Sequence, residues 1–232
     1  LPGRDAPNVQ PVAEEVSKMA SIVIVDDHPT TRDGLMTRIE LEADLQVCGE
    51  ADDVDEALNL IRSRHPDLAV IDVSLKTGNG IELIKAVKAE NLKTRMLVWS
   101  MYEDSLYAER ALRAGAMGYI NKVNATDVIV DAIRTVLKGD VYLSPEMSAK
   151  VLHRVVHGKD MLRKSPAEAL SDRELQTFEL IGRGVKTVDI AAAMHLSPKT
   201  IETYRSRIKE KLELDDMAAL AREAVQWVIE NS

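Results

Sequence analysis

Four short apolar runs in this chain each end on polar residues able to handle a cation or a phosphoryl group. Asp26 and Asp27 close SIVIVDD, Asp72 closes DLAVIDV, Ser100 closes RMLVWS, and Lys122 follows AMGYIN. Three carboxylates brought together repel and raise one another's pKa unless a cation sits among them. Mg2+ takes oxygen ligands, keeps several waters and commonly bridges to phosphate. An Asp carboxylate can also be a nucleophile that forms an aspartyl-phosphate. Transfer then needs the charge on the equatorial phosphoryl oxygens neutralised, which Mg2+, the Lys122 ammonium and the Ser100 hydroxyl can supply. Singly, an Asp pair after a strand reads as a turn or helix cap, and a lone Ser or Lys carries almost no signal. The weight lies in five such groups at successive strand ends.

The elements that must position them follow from the pattern. Runs this short, rich in Val and Ile and bounded by polar residues, read as buried parallel strands. Between them lie helical stretches at 30–42, 53–64, 80–90, 104–114 and 125–138, with apolar residues three and four apart. Gly78-Asn79-Gly80, Gly115 and Gly139 punctuate the junctions. Five alternations of strand and helix imply an α/β doubly wound, five-stranded parallel sheet with right-handed crossovers and helices on both faces. Ligands of such sheets bind outside the carboxyl ends of the strands, where the five residues are placed.

After the sheet the character changes. Residues 141–169 open on a Ser-Pro turn, continue as a helix through 156 and become Gly-, Lys- and Pro-containing: a helical, then flexible, linker. From Leu170 the strand signal disappears, and residues 170–232 read as a small all-α unit of four helices at 172–182, 187–194, 198–213 and 216–230. Ser171 precedes Glu174 by three residues, the spacing of a capping box. Ser197-Pro198 sets a cap residue before a proline at the first helical position. The short AAAMHLS connection has the length of a helix-turn-helix joint. At the other end, residues 1–20 hold three prolines and no amphipathic period; they read as a flexible tail, with Met19 a candidate start.

At 232 residues the chain has room for two domains with cores of their own. It is 45% apolar and 29% charged, and it has no apolar run long enough to span a bilayer. With no signal-peptide pattern, the expectation is a cytoplasmic protein. A single cysteine, Cys48, excludes an internal disulfide and reads as a buried small side chain. A net charge of −8 argues against a protein coated in nucleic acid. The charge is uneven, however: 16 Lys+Arg against 24 Asp+Glu in 1–141, 5 against 3 in 142–169, and 9 against 11 in 170–232. Within the last part, 197–211 holds Lys199, Arg205, Arg207, Lys209 and Lys211 against only Glu202 and Glu210. A local basic stripe on an acidic molecule points to a specific nucleic-acid surface with little nonspecific affinity. In SPKTIETYRSRIKEKL, Ile201, Tyr204, Ile208 and Leu212 form the core face and Lys199, Glu202, Thr203, Arg205, Ser206 and Lys209 lie away from it.

These residues carry a resemblance. Residues 22–138 resemble the flavodoxin-like receiver domain of two-component response regulators at every signature position. The resemblance implies that Asp72 is the phosphoacceptor, that Asp26, Asp27, Asp72 and the Ser74 backbone carbonyl bind Mg2+, and that Lys122 contacts the phosphate. It implies that Ser100 and Tyr119 form the switch, and that Ser74 and Tyr102 tune the lifetime of the phosphoryl group. Val123 stands where many receivers have Pro, and LKTGNG replaces the usual Met-Pro sequence after the phosphoacceptor. Residues 170–230 resemble a LuxR-type (GerE-type) domain through Leu170-Ser171-x-Arg173-Glu174, Gly184, Ile190-Ala191, Leu196-Ser197, Thr200-Ile201 and Lys211-Leu212. Tyr204 takes the place of a consensus histidine. Together the two halves resemble the NarL/FixJ architecture: receiver 21–140, linker 141–169, helix-turn-helix domain 170–232.

The resemblance implies a histidine kinase as phosphodonor and double-stranded DNA, in two half-sites, as target. It places the third helix of the second domain in the major groove. Lys199, Glu202 and Thr203 are then candidates for base edges, and Thr200, Tyr204, Arg205, Arg207 and Lys209 for phosphates. It further implies a homodimer when phosphorylated, joined through the last helix at Leu220, Ala224 and Trp227. Two rivals are a phosphatase with an Asp nucleophile, which would need a second acid where Ser74 stands, and a regulator whose receiver only dimerises.

Overall fold

The computed structural model describes residues 19–101, 105–124, 128–157 and 169–231. Five strands, β1 (Ala20–Val25), β2 (Leu45–Ala51), β3 (Leu68–Ile71), β4 (Arg95–Ser100) and β5 (Gly118–Asn121), form one sheet in the order β2-β1-β3-β4-β5. Every pair is parallel, with Val25 level with Ile71 and Ile71 with Val98. Consecutive strands lie on both sides of β1, so the chain reverses its direction of winding between β1 and β3. A crevice opens there at the carboxyl ends.

Alternation along the strands sorts the apolar residues into two layers. Val23, Val25, Ala69, Ile71 and Val98 pack on one face with Ala57, Ile61, Ile81, Ile84, Val87, Ala108 and Ala111. These come from α2 (Val54–Arg64), α3 (Gly80–Ala89) and α4 (Ser105–Ala114). Ile22, Ile24, Leu68, Val70, Leu97 and Ile120 pack on the other with Leu35, Ile39, Ile129, Ile133 and Val136, from α1 (Pro29–Glu40) and α5 (Ile129–Lys138). Helix starts are fixed locally. Asp53 caps α2 through the Glu56 amide, and Asn79 with Glu82 forms a full capping box on α3. Gly80 opens α3 where nothing larger fits, since a Cβ there would lie 2.0 Å from the Asp72 carbonyl oxygen.

The segment expected as linker is partly joined to the sheet. The Tyr119 N–H donates to the Tyr142 carbonyl (3.0 Å) and the Tyr142 N–H to the Met117 carbonyl (2.9 Å), covering the β5 edge. Helix α6 (Pro145–His157) then packs along α4. Residues 158–168 lie outside the described residues.

The second domain consists of α7 (Asp172–Gly182), α8 (Thr187–Ala193), α9 (Pro198–Lys211) and α10 (Met217–Asn231). The capping box is present: the Ser171 hydroxyl accepts from the Glu174 amide, and the Ser171 amide donates to the Glu174 carboxylate. Ser197 caps α9 through the Thr200 amide, with Pro198 in its first turn. Leu175, Phe178, Ile208, Leu220, Ala224 and Trp227 belong to one buried cluster; Ile190, Ala191, Met194 and Ile201 form a second.

Leu220, Ala224 and Trp227 therefore cannot present a dimer face. They are buried at 0%, 0% and 4% exposure, with the Trp227 ring centroid 5.8 Å from that of Phe178. The apolar stripe of α10 satisfies the core of its own domain. Gly182 lets the two helices meet there, since a Cβ on it would lie 2.3 Å from the Ala224 carbonyl oxygen. The large apolar residues that α10 exposes are Met217, Val225 and Ile229.

Candidate functional site

Asp26 and Asp72 are the residues just past the ends of β1 and β3, neighbouring strands of the sheet, and both are buried. Lys122 follows β5 and reaches back across the crevice, donating to Asp26 Oδ2 at 2.5 Å and to Asp72 Oδ2 at 2.6 Å. Its Nζ also lies 5.4 Å from the Trp99 ring centroid. The Asp72 N–H donates to the Val25 carbonyl and the Gly80 N–H to the Val73 carbonyl, so the backbone on both sides of Asp72 is held by the sheet and by α3. Asp27 offers a third carboxylate, its side chain only 3% exposed.

One ammonium facing three carboxylates leaves the pocket short of positive charge. Burial pushes the Asp72 carboxyl up to about 6, with Asp26 and Asp27 adding to the rise and Lys122 opposing it. The Lys122 ammonium, although burial disfavours its charge, is pushed up by Asp72 and Asp26. The carboxyl rises chiefly because it is buried, whereas the ammonium rises because the two carboxylates outweigh its own burial.

Asp26, Asp27, His28 and Asp72 bring one ligand atom each to within 4.8 Å of one another. Asp27 Oδ1 is buried and accepts no hydrogen bond among the described residues, although His28 Nδ1 stands 2.7 Å from it. Three clustered carboxylates make an oxygen-rich donor set that fits a hard divalent cation. His28 was not among the residues singled out from the sequence; its position directly after the Asp pair was the available signal.

Of the other pocket residues, Ser100 ends β4 fully buried and Tyr119 lies inside β5 at 2% exposure. Ser74 forms a bridge with Asn79 across the loop after Asp72. Tyr102 lies outside the described residues.

The second domain reaches this pocket. Gln176 Nε2 on α7 donates to Ser74 Oγ at 2.7 Å, and His195 Nε2, from the turn between α8 and α9, lies 2.9 Å from Asp27 Oδ2. At the start of α7, Asp172 takes Lys85 and Arg110, each at 2.7 Å, and Arg110 also donates to the Leu170 carbonyl. A cleft of about 300 Å³ remains, lined by Asp27, His28, Ser74, Gln176 and His195 with Leu180, Ala192 and Ala193. No sequence signal marked Gln176 or His195 as pocket residues, because they are 102 and 168 positions from their partners.

On α9, Ile201 and Ile208 are buried while Lys199, Glu202, Thr203 and Arg207 are exposed. Thr200, Tyr204, Arg205 and Lys209 are half-buried, with Tyr204 packed against both apolar clusters of the domain. Arg205 is turned onto α8: it donates to Thr187 Oγ1 at 2.6 Å and to Glu202 Oε1 at 3.1 Å, and Thr187 in turn donates to Glu202. Of these residues, Lys199, Thr203 and Arg207 are exposed at four-residue spacing along one face, with Glu202 beside them. Among the described residues no helix is long and apolar enough to cross a membrane.

Comparison with known proteins bears on both halves. The sequence profile of the response regulator receiver domain matches residues 22–134, and that of the bacterial regulatory proteins of the luxR family matches 168–224. Oxygen regulatory protein NreC of Staphylococcus haemolyticus is 32% identical over 209 residues, covering 88% of this chain and 96% of the relative. Response regulator GacA of Pseudomonas syringae pv. syringae is 34% identical over 209 residues, covering 90% and 96%. Among solved structures, a LuxR-family two-component response regulator from Aurantimonas sp. SI85-9A1 aligns at TM-score 0.57 and 34% identity over 60% of this chain and 99% of that one. The fold of RcsB from Salmonella enterica serovar Typhimurium, solved bound to promoter P1flhDC in the presence of phosphomimetic BeF3-, aligns at TM-score 0.58 and 23% identity over 89% and 98%.

Proposed function

Because the chain belongs to the response regulators that join a receiver domain to a LuxR-type DNA-binding domain, we propose that phosphorylation of Asp72 by a histidine kinase controls its binding to double-stranded DNA and thereby transcription. The observation that carries this reading is the buried Asp72 carboxylate held by Lys122, with Asp26 and Asp27 beside it. A lone buried Asp would be neutralised by protonation; here the pocket holds an ammonium and donors for a cation instead.

In the forward step an Asp72 carboxylate oxygen attacks phosphorus, the O–P bond forms, and the N–P bond to the kinase imidazole breaks with its electron pair returning to nitrogen. Mg2+, when held by Asp26, Asp27, Asp72 and the Ser74 carbonyl, supplies positive charge to the phosphoryl oxygens. Lys122 exchanges its carboxylate contacts for a phosphoryl oxygen, and the Ser100 hydroxyl donates to another. Ser100 lies on β4, and its movement toward the phosphate opens space that Tyr119, on the adjacent strand, occupies. The Tyr119 N–H is bonded to Tyr142, so β5 and the segment leading to α6 shift together. No other turnover is assigned: the position two after Asp72, where a phosphatase would carry its general acid, is Ser74, bonded to Gln176.

On the DNA side, Lys199 and Thr203 reach base edges while Arg207 and Lys209 hold phosphates. Glu202, Arg205, Thr200 and Tyr204 act by orienting α9. Two half-sites call for a dimer of phosphorylated chains in the cytoplasm, and Val225 and Ile229 on α10 replace the buried residues as its apolar contact. The test is labelling with acetyl phosphate and Mg2+, paired with gel shifts. Asp72→Asn should lose the label, and the phosphodonor should change DNA affinity only in the parent chain. Full labelling of Asp72→Asn, or a donor effect that survives it, would overturn the reading.

A further inference from the structure

The pocket is completed by two residues of the DNA-binding domain, one on a carboxylate that a metal ion needs and one on the side chain of Ser74 beside it. His195 Nε2 takes Asp27 Oδ2 at 2.9 Å, and Gln176 Nε2 takes the hydroxyl of Ser74 at 2.7 Å, whose backbone carbonyl is the expected metal ligand. Magnesium dehydrates reluctantly and keeps several waters, so it needs both the carboxylate oxygen and room beside it for its hydration shell. The imidazole takes one of the Asp27 carboxylate oxygens and, with the amide, walls one side of the cleft beside it. Resting on the reading of Asp26 and Asp27 as cation ligands, we propose that His195 is a lid on the metal site, so that a docked DNA-binding domain and a metal-loaded receiver exclude each other.

The anchoring of the lid lies elsewhere. Asp172, at the start of α7, is held by Lys85 of α3 and Arg110 of α4, and Arg110 also holds the Leu170 carbonyl. These contacts tie α7 to the receiver without touching the pocket, so they set how often His195 is in place. His195 lies two residues before Ser197, the cap of α9, so its release also frees the end of the helix that reads DNA. Coupling of this kind is reciprocal: the factor by which docking weakens Mg2+ binding is the factor by which Mg2+ weakens docking.

The experiment is a calorimetric Mg2+ titration of three full-length chains: the parent, His195→Gly and Asp172→Asn. Glycine suits position 195, where φ is +52°, and Asp172→Asn keeps the shape of its side chain. Removing the lid should tighten Mg2+ binding about three- to tenfold, the population of docked molecules being what reduces the apparent affinity. Asp172→Asn should tighten it as well, although removing a negative charge by itself weakens the binding of a cation. Small-angle scattering should show Mg2+ expanding the parent chain and leaving the compactness of His195→Gly unchanged. Equal affinity in all three chains overturns the lid, as does tightening confined to His195→Gly. If none of the three binds Mg2+, it is the metal reading itself that fails.

Discussion

Asp72→Asn should make the metal-free protein more stable, a counterintuitive outcome for a residue at the centre of its chemistry. Burial, with Asp26 and Asp27 adding to it, pushes the Asp72 carboxyl from its ordinary 3.8 to about 6. A carboxyl with a raised pKa binds more protons folded than unfolded, so stability is lost as pH climbs from the ordinary value to the folded one. Above the folded value the penalty is complete, about 3 kcal/mol at 1.4 kcal/mol per pH unit. Asparagine carries no charge and still offers Lys122 an acceptor. The variant should therefore exceed the parent by about 3 kcal/mol at pH 8 and by about half that at pH 5. For a domain of this size that is a gain of about 8–12 °C in Tm at the higher pH. The assay is thermal denaturation followed by circular dichroism, at both pH values, with chelator and then with Mg2+. Added Mg2+ should narrow the gap, because the parent gains stability from a ligand that binds only its folded form. Equal or lower stability of Asp72→Asn at pH 8 without metal would refute the argument, as would a gap of the same size at both pH values.

Two glycines should respond in opposite senses to alanine. Gly34 in α1 faces open space, so Gly34→Ala should stabilise by about 0.5–1 kcal/mol, whereas Gly182→Ala meets the Ala224 carbonyl at 2.3 Å and should destabilise by about 1–3 kcal/mol; thermal melts of both measure the difference. Glu174 is buried, which raises its carboxyl, but the Lys211 ammonium and the Ser171 donors outweigh this and hold it below 4.5. The pair with Lys211 thus adds stability above the ordinary value that is lost as pH falls through the folded one. Lys211→Met should cost about 0.5–1 kcal/mol near neutrality, screening being strong at a half-exposed lysine, and urea melts should show the cost vanishing in acid. On DNA, Lys199→Ala should weaken binding at particular base pairs by about 1–3 kcal/mol, while Arg207→Ala should weaken all sequences alike and lower the salt slope by about one, both read by titrations at several salt concentrations.

The receiver pocket was legible because its parts are local. Each of Asp26, Asp72, Ser100 and Lys122 closes or follows a short apolar run, and a parallel sheet brings such ends to one edge whatever the details of packing. The capping box at Ser171 and the N-cap at Ser197 were legible for the same reason, the partner lying three residues away. The last helix shows where that reasoning stops. Its apolar stripe at Leu220, Ala224 and Trp227 is visible in the sequence, but periodicity shows only that a face is covered. The packing of α10 on α7, allowed by Gly182, decided that the cover is the same chain and left Val225 and Ile229 outside.

What the sequence determined by itself is thus the order of elements, the five residues at the strand ends and the basic face of α9, all of which follow from short-range periodicity and capping. Only the tertiary structure decided what those groups meet. Lys122 bridges Asp26 and Asp72, Arg205 is turned onto Thr187, and His195 and Gln176 close over Asp27 and Ser74. Such meetings join positions up to 168 apart in the chain. They depend on how two packed bodies dock, and side-chain spacing along one element carries no information about the surface that another brings to it.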